Sequence, residues 1–229
     1  MAIRYNTSIV RSGLTLQLDA ANPKSYPGTG TTWIDLSGNG KNGTLTNGPT
    51  FSNNSIVFDG VDDYIQLPAS NLVITSTSFS CFIWVNALAT KSTGDQNIGG
   101  RFVTILRSSI SSYFGFGLKG DNTDTVQIFI GSGTTFTYLN SGIVGTGFHN
   151  VGFTYDLALT KLKFYIDGSL KAEHTTTFST PSVDAGFLAI GVGNTPYACK
   201  ISNFSTYNRV LTDQEVQQNF EALRGRYGV

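Results

Sequence analysis

Asp59, Asp62 and Asp63, three carboxylates within five residues, are the first candidates for chemistry in this sequence. They lie in Phe58-Asp59-Gly60-Val61-Asp62-Asp63-Tyr64-Ile65-Gln66-Leu67-Pro68, which reads as strand, acidic turn, strand. Ile56 and Phe58 alternate before the turn, Tyr64 and Ile65 restart the apolar run, and Asp59-Gly60 favours positive φ in a tight connection. Calcium takes about six to eight oxygens from carboxylates and carbonyls, and this turn offers two or three of them with backbone carbonyls alongside. The alternative is ordinary turn chemistry, in which the same carboxylates accept backbone N–H bonds. Both readings stay open on the sequence.

Other catalytic constellations are not spelled out. Glycoside hydrolysis needs two acids about 5 to 10 Å apart. The only glutamates are Glu173, Glu215 and Glu221, two of them on a predicted terminal helix and the third near a hairpin end. His149 and His174 are the only histidines, and with no HExxH and no Cys/His cluster they suggest no zinc site. His149 reads as a strand-start residue and His174 as a solvated strand end. No G-x-S-x-G elbow or P-loop occurs. Cys81 and Cys199 each sit in an apolar strand-like run with no CxxC spacing, so two buried free thiols are expected, with a disulfide left open. Aromatic residues that could stack on a sugar face are Phe82, Trp84, Tyr113, Phe114, Phe116 and Tyr138. Burial in the sheet core is the competing role for each.

The elements that would position these residues are mostly strands. Leu14, Leu16 and Leu18 alternate with polar residues, as a half-buried strand does. Residues 22–48 are rich in turn dipeptides and read as a long surface excursion, with Trp33 and Leu36 tucked under a sheet edge. Phe79 to Val85 is apolar on both faces. A strand bare on one side is not written that way, so a loop should cover Phe82 and Trp84, or those two form a platform or subunit contact. Lys91 to Gly100 is polar and Gly-rich and reads as a long loop. Strands follow at Phe102–Leu106, Tyr113–Leu118 and Val126–Ile130. Residues 150–175 give hairpins turning at Asp167-Gly168, and Phe187–Val192 and Lys200–Tyr207 complete the set. Near the end Thr212 and Glu215 spell a capping box, and Val216, Phe220 and Leu223 make one apolar stripe of a short helix, facing the sandwich. Short strands at close spacing with almost no helix predict an all-β, two-sheet antiparallel sandwich.

With 229 residues, area scaling puts about 70% of the chain's surface inside one domain. Charged residues are 13% of the chain, 15 basic against 15 acidic, with no basic stripe, which argues against nucleic acid and anionic membrane as partners. Residues 1–10 lack the apolar core of a signal peptide and no apolar run reaches membrane-spanning length, so a soluble protein made in the cytoplasm is expected.

Five landmarks then appear in order: the FDG-x-DDY turn at 58–64, Ser78 to Val85 ending in Trp84, His149 to Asp156, Leu162 to Gly168, and Ile201 to Val216 with its Tyr207-Asn208-Arg209-Val210-Leu211-Thr212 core. Together they resemble the laminin-G-like, concanavalin A-like lectin/glucanase jelly-roll family over roughly residues 13–224. The resemblance implies a jelly-roll sandwich with one short C-terminal helix, residues 1–12 forming an arm or edge strand and 13–229 a single domain. It also implies calcium at Asp59, Asp62 and Asp63, as in relatives that bind it. Hydrolases of this fold often carry an E-x-D-x-E strand, which this chain lacks, so the expectation is a non-enzymatic protein.

The run from Tyr5 to Gly48 resembles the openings of laminin-G-like proteins of tailed phages, especially those infecting cyanobacteria. That implies a virion surface component, a capsid decoration or a head or tail fibre part. Its partners would be other capsid or tail proteins, further copies of itself, and a host-surface glycan. The alternative is a carbohydrate-binding lectin module not tied to a virion.

Overall fold

The computed structural model describes residues 8–67, 78–88, 101–106, 112–118, 125–132, 135–143, 146–175, 188–190 and 198–229, with the backbone alone in several strands of the second sheet. Its strands are β1 (Leu14–Asp19), β2 (Thr32–Trp33), β3 (Gly43–Thr46), β4 (Thr50–Ser52), β5 (Ser55–Asp59), β6 (Tyr64–Leu67), β7 (Phe79–Ala87) and β8 (Arg101–Leu106). They continue with β9 (Ser112–Leu118), β10 (Thr125–Ser132), β11 (Thr135–Ile143), β12 (Phe148–Asp156), β13 (Lys161–Ile166), β14 (Ser169–Thr175), β15 (Leu188–Ile190) and β16 (Ala198–Tyr207). One α-helix follows, α1 (Asp213–Leu223).

Two antiparallel sheets form, as the alternating patterns require. The first runs β14-β13-β12-β7-β16-β5-β4, with β1 also on β16; the second runs β11-β10-β9-β8-β15-β6-β3-β2. Strands β5 and β1 divide one edge of β16 between them, β5 pairing with Ala198 to Ile201 and β1 with Asn203 to Tyr207. Between the sheets lies a core that includes Leu16, Phe58, Ile83, Ile128, Phe153 and Phe204. Trp33 is fully buried in it, as expected of the long excursion, while Leu36 is half-buried.

Cys81 and Cys199 are both buried free thiols. Cys81 pairs opposite Thr206, seven positions along β16 from Cys199, which puts the two about 20 Å apart and rules out a disulfide. Burial pushes the Cys199 thiol up to about 12 and the Cys81 thiol up as well. Neither is therefore a nucleophile at neutral pH.

The outer face of the first sheet carries a second apolar cluster, built from Phe82, Trp84, Tyr165, Tyr207, Val216, Phe220 and their neighbours. This corrects the expectation that a loop covers β7 or that Phe82 and Trp84 form a platform. The cover is α1 and the turn after it: Trp84 stacks on Phe220 at 5.6 Å and on Tyr227 at 4.2 Å between ring centroids. Phe82 and Trp84 retain 3% and 1% of their exposure, too little for a sugar to reach.

Ile9 and Val10, placed by sequence in an arm or edge strand, are buried in this same cluster. The Val10 N–H donates to Asn219 Oδ1 at 2.7 Å, Asn219 Nδ2 donates to the Tyr207 hydroxyl at 3.0 Å, and that hydroxyl donates to the Val10 carbonyl at 3.2 Å. The closed ring satisfies the polar groups of a buried backbone crossing, which would otherwise be costly. Residues 1–7 lie outside the described residues.

Helix α1 starts as the sequence spells it. Thr212 Oγ1 accepts from the Glu215 N–H at 3.2 Å, and Glu215 Oε2 accepts from the Thr212 N–H at 2.9 Å. Arg209 adds a two-pronged pair to the same carboxylate at 2.6 and 2.8 Å. The guanidinium, with help from the Thr212 contacts and against partial burial, brings the Glu215 carboxyl down to about 2 from an ordinary 4.5. A depressed acid contributes stability that is complete above its unfolded value and is lost as pH falls from about 4.5 through about 2. Urea denaturation between pH 6 and pH 2 is expected to lose about 1–2 kcal/mol from this group after solvent screening, and the Glu215→Gln variant to show a flatter profile. An identical acid profile for the variant would show that the Arg209 pair adds nothing.

Candidate functional site

The acidic turn joins β5 to β6 and therefore bridges the two sheets at one end of the sandwich. Register fixes what else meets there. Asp59 pairs with Ala198 and Ala87 with Cys199, so the end of β7 and the start of β16 flank it. Phe148 pairs with Asn86, which brings the start of β12 to the same end. Residues 89–100 and 191–197, on the connections leaving this end, lie outside the described residues, as does the expected loop Lys91–Gly100.

Within the turn, Gly60 has φ +78°, a backbone angle that side-chain-bearing residues rarely adopt. Asp59 Oδ1 accepts from the Val61 N–H at 2.7 Å, and Asp63 Oδ2 accepts from the Asp59 N–H at 3.0 Å. Asn47, itself at φ +69°, donates from Nδ2 to the Asp62 carbonyl at 2.9 Å and ties the turn after β3 to this one. Asp59 and Asp62 are exposed while Asp63 is buried. Burial pushes the Asp63 carboxyl up, and repulsion from Asp59 and Asp62 adds to it against the lowering Asp59 N–H bond.

One ligand atom from each of the three aspartates lies within 4.8 Å of the others. Oxygens sharing one calcium ion at 2.3–2.6 Å can be at most about 5 Å apart, so the donor set fits that ion. The hydrogen bonds described occupy one oxygen of Asp59 and one of Asp63. Turn chemistry and cation binding, posed as alternatives by the sequence, are thus compatible here, because the turn's hydrogen bonds leave carboxylate oxygens of Asp59, Asp62 and Asp63 without a hydrogen bond among the described residues.

Of the remaining sequence candidates, two lie on the first sheet and four on the second. Phe82 and Trp84 are buried beneath α1, as described above. Tyr113, Phe114 and Phe116 fall on β9 and Tyr138 on β11, where Phe116 pairs opposite Ile128, Phe114 opposite Ile130 and Tyr138 opposite Phe129. Their side chains lie outside the described residues. Each glutamate holds a cation: Glu173 pairs with Lys161 at 2.7 Å, Glu215 with Arg209 at 2.6 Å and Glu221 with Arg224 at 2.7 Å.

Two contributions escaped the sequence reading. Asn47 was legible only as half of an Asn47-Gly48 turn, with nothing to connect it to Asp62. His149 Nδ1 sits 2.7 Å from Asp167 Oδ2, and Asp167 Oδ1 accepts from the Asn150 N–H at 2.9 Å. The pair pins the β13–β14 turn to β12, and no sequence spacing signals a contact across those strands.

A two-sheet antiparallel jelly roll with one short C-terminal helix defines a lectin-like fold. The chain belongs to the concanavalin A-like lectin/glucanase superfamily, whose family model matches residues 59–217, from the acidic turn into α1. No curated protein matches the chain.

Among solved structures the fold is similar to Trypanosoma rangeli sialidase in complex with 2,3-difluorosialic acid, with a TM-score of 0.68 at 16% identity over 95% of this chain and 34% of that one. It is similar to the botulinum neurotoxin serotype D binding domain, with a TM-score of 0.68 at 13% identity over 93% of this chain and 52% of that one. The binding domain of botulinum neurotoxin DC, solved with rat synaptotagmin II, gives a TM-score of 0.65 at 13% identity over 93% of this chain and 52% of that one. The chain thus spans between a third and about half of these structures. At such identities the likeness speaks for the fold alone.

Proposed function

We propose that this chain is a non-enzymatic carbohydrate-binding module, displayed on the surface of a tailed-phage virion, with Asp59, Asp62 and Asp63 holding calcium at its recognition edge. The convergence of the three carboxylates within 4.8 Å at a loop end carries this reading. Bound there, calcium supplies positive charge against the carboxylates and coordination positions for sugar hydroxyls. Asp63 is fixed by the Asp59 N–H, and Asn47 holds the Asp62 backbone, so the donors are arranged before any ligand arrives.

The glutamates support a binding role over hydrolysis. Glu173 lies on β14 and Glu215 and Glu221 on α1, and each is paired with a cation, so none of the three is a free acid of the kind glycoside hydrolysis uses. The virion half of the reading rests on the opening run Tyr5 to Gly48 and on the low, balanced charge, which suits a surface packed against capsid or tail neighbours. Assembly as a homo-oligomer follows from the symmetry of such positions.

Calcium is expected to raise the thermal midpoint of the wild-type protein, with about 2.7 kcal/mol of added stability at a hundredfold excess over the dissociation constant. Asp62→Ala, a change at an exposed side chain, should abolish that rise while leaving the calcium-free midpoint in place. A calcium effect that survives Asp62→Ala would move the metal away from this turn. Cryo-electron microscopy of the purified phage should show the sandwich on capsid or tail, and particles without it would remove the virion half of the proposal.

A further inference from the structure

A second recess lies on the outer face of the first sheet, at the end of the sandwich opposite the acidic turn. It is a cleft of about 510 Å³ between the β12–β13 hairpin and the start of α1. That size is within the range of small-ligand sites. We propose that it is a second, calcium-independent site for a neutral saccharide; the choice of ligand class rests on the carbohydrate-binding reading above.

Charge selects against ionic ligands. Lys161, Lys163, Asp156 and Asp213 all line the cleft, two ammoniums against two carboxylates. Neither a free anion nor a free cation gains from such a balance.

The hydrogen-bonding groups are held in place in advance. Asp213 Oδ1 accepts from the Tyr165 hydroxyl at 2.7 Å and from Lys163 Nζ at 3.0 Å. Asp156 Oδ1 accepts from the Ala158 and Leu159 N–H groups at 3.0 and 3.2 Å. Each carboxylate is thereby engaged through Oδ1, and its Oδ2 makes no hydrogen bond among the described residues. Each lysine ammonium has three donors, and one is given to a carboxylate, Lys161 to Glu173 at 2.7 Å and Lys163 to Asp213. Carboxylate acceptors beside ammonium donors match vicinal hydroxyls, which donate and accept at once.

The wall supplies the other half of sugar recognition. Leu159, at the hairpin tip, is 64% exposed, and Val210 lines the same cleft. Hairpin tips are ordinarily polar. An exposed aliphatic side chain beside polar groups offers a surface for the C–H face of a pyranose.

The test is ¹⁵N-resolved NMR of the full chain in EDTA, titrated separately with galactose, glucose and N-acetylglucosamine at millimolar concentration. Shifts are expected at residues 154–163 and 210–214 for at least one sugar. They should weaken about tenfold in Leu159→Ser, a solvent-exposed turn position whose change leaves the thermal midpoint unaltered. Asp62→Ala should leave them untouched, which separates this site from the acidic turn. Absence of shifts in this cleft with all three sugars, or binding unaffected by Leu159→Ser, would overturn the proposal whether or not the calcium site binds a glycan.

Discussion

Trp84→Ala is expected to lower the unfolding free energy by about 3–5 kcal/mol in urea or guanidinium titration. The indole is 1% exposed and lies in the aromatic stack of Phe220 and Tyr227. Truncation would leave a cavity between β7 and α1 that Phe82 and Phe148 cannot fill without moving the helix. Calcium binding at the acidic turn should persist in whatever fraction remains folded. A stable Trp84→Ala variant that has lost sugar binding would instead restore Trp84 as a recognition residue.

Gly152→Ala should be comparably damaging, about 3 kcal/mol, although it adds a single methyl group. Gly152 sits on β12 directly opposite Phe82 on β7. A Cβ there would collide with the Phe82 ring, 2.7 Å from its Cγ and closer still to Cδ1, and with the Cys81 carbonyl oxygen. The ring cannot withdraw, because Tyr165 packs against it at 6.1 Å. The backbone is no easier to move, being paired in the middle of the sheet. The cost should fall in the double variant Gly152→Ala, Phe82→Leu if the ring is the obstacle. An unchanged cost would assign it to the carbonyl.

What was legible in the sequence was local. The acidic turn announces itself because Asp59, Gly60 and Asp63 fulfil its backbone requirements within five residues. The capping box of α1 is readable for the same reason, two side chains three positions apart serving each other. Strands such as β12 and β13 follow from alternation alone.

What was not legible depends on partners distant in the chain. Both faces of β7 are apolar, so the sequence demanded a cover for Phe82 and Trp84, and it turned the apolar stripe of α1 toward the sandwich, yet no local pattern joined the two. Asn219 is buried against Val10, 209 positions away, a contact that no local spacing signals. Asn47 reaches Asp62 across a sheet edge, and the Asp156–Asp213 cleft joins a hairpin to a helix start. Patterns with a short period identify elements, whereas the surfaces that recognise ligands are assembled between elements.

The most direct measurement is a glycan array probed with the wild-type protein and with Asp62→Ala, each in calcium and in EDTA. The wild type is expected to bind a defined subset of glycans in calcium and to lose at least part of that set in EDTA. Asp62→Ala in calcium should reproduce the EDTA pattern. Binding in calcium that is identical for both proteins, or no glycan bound under any condition, would contradict a calcium-assisted recognition edge at Asp59, Asp62 and Asp63.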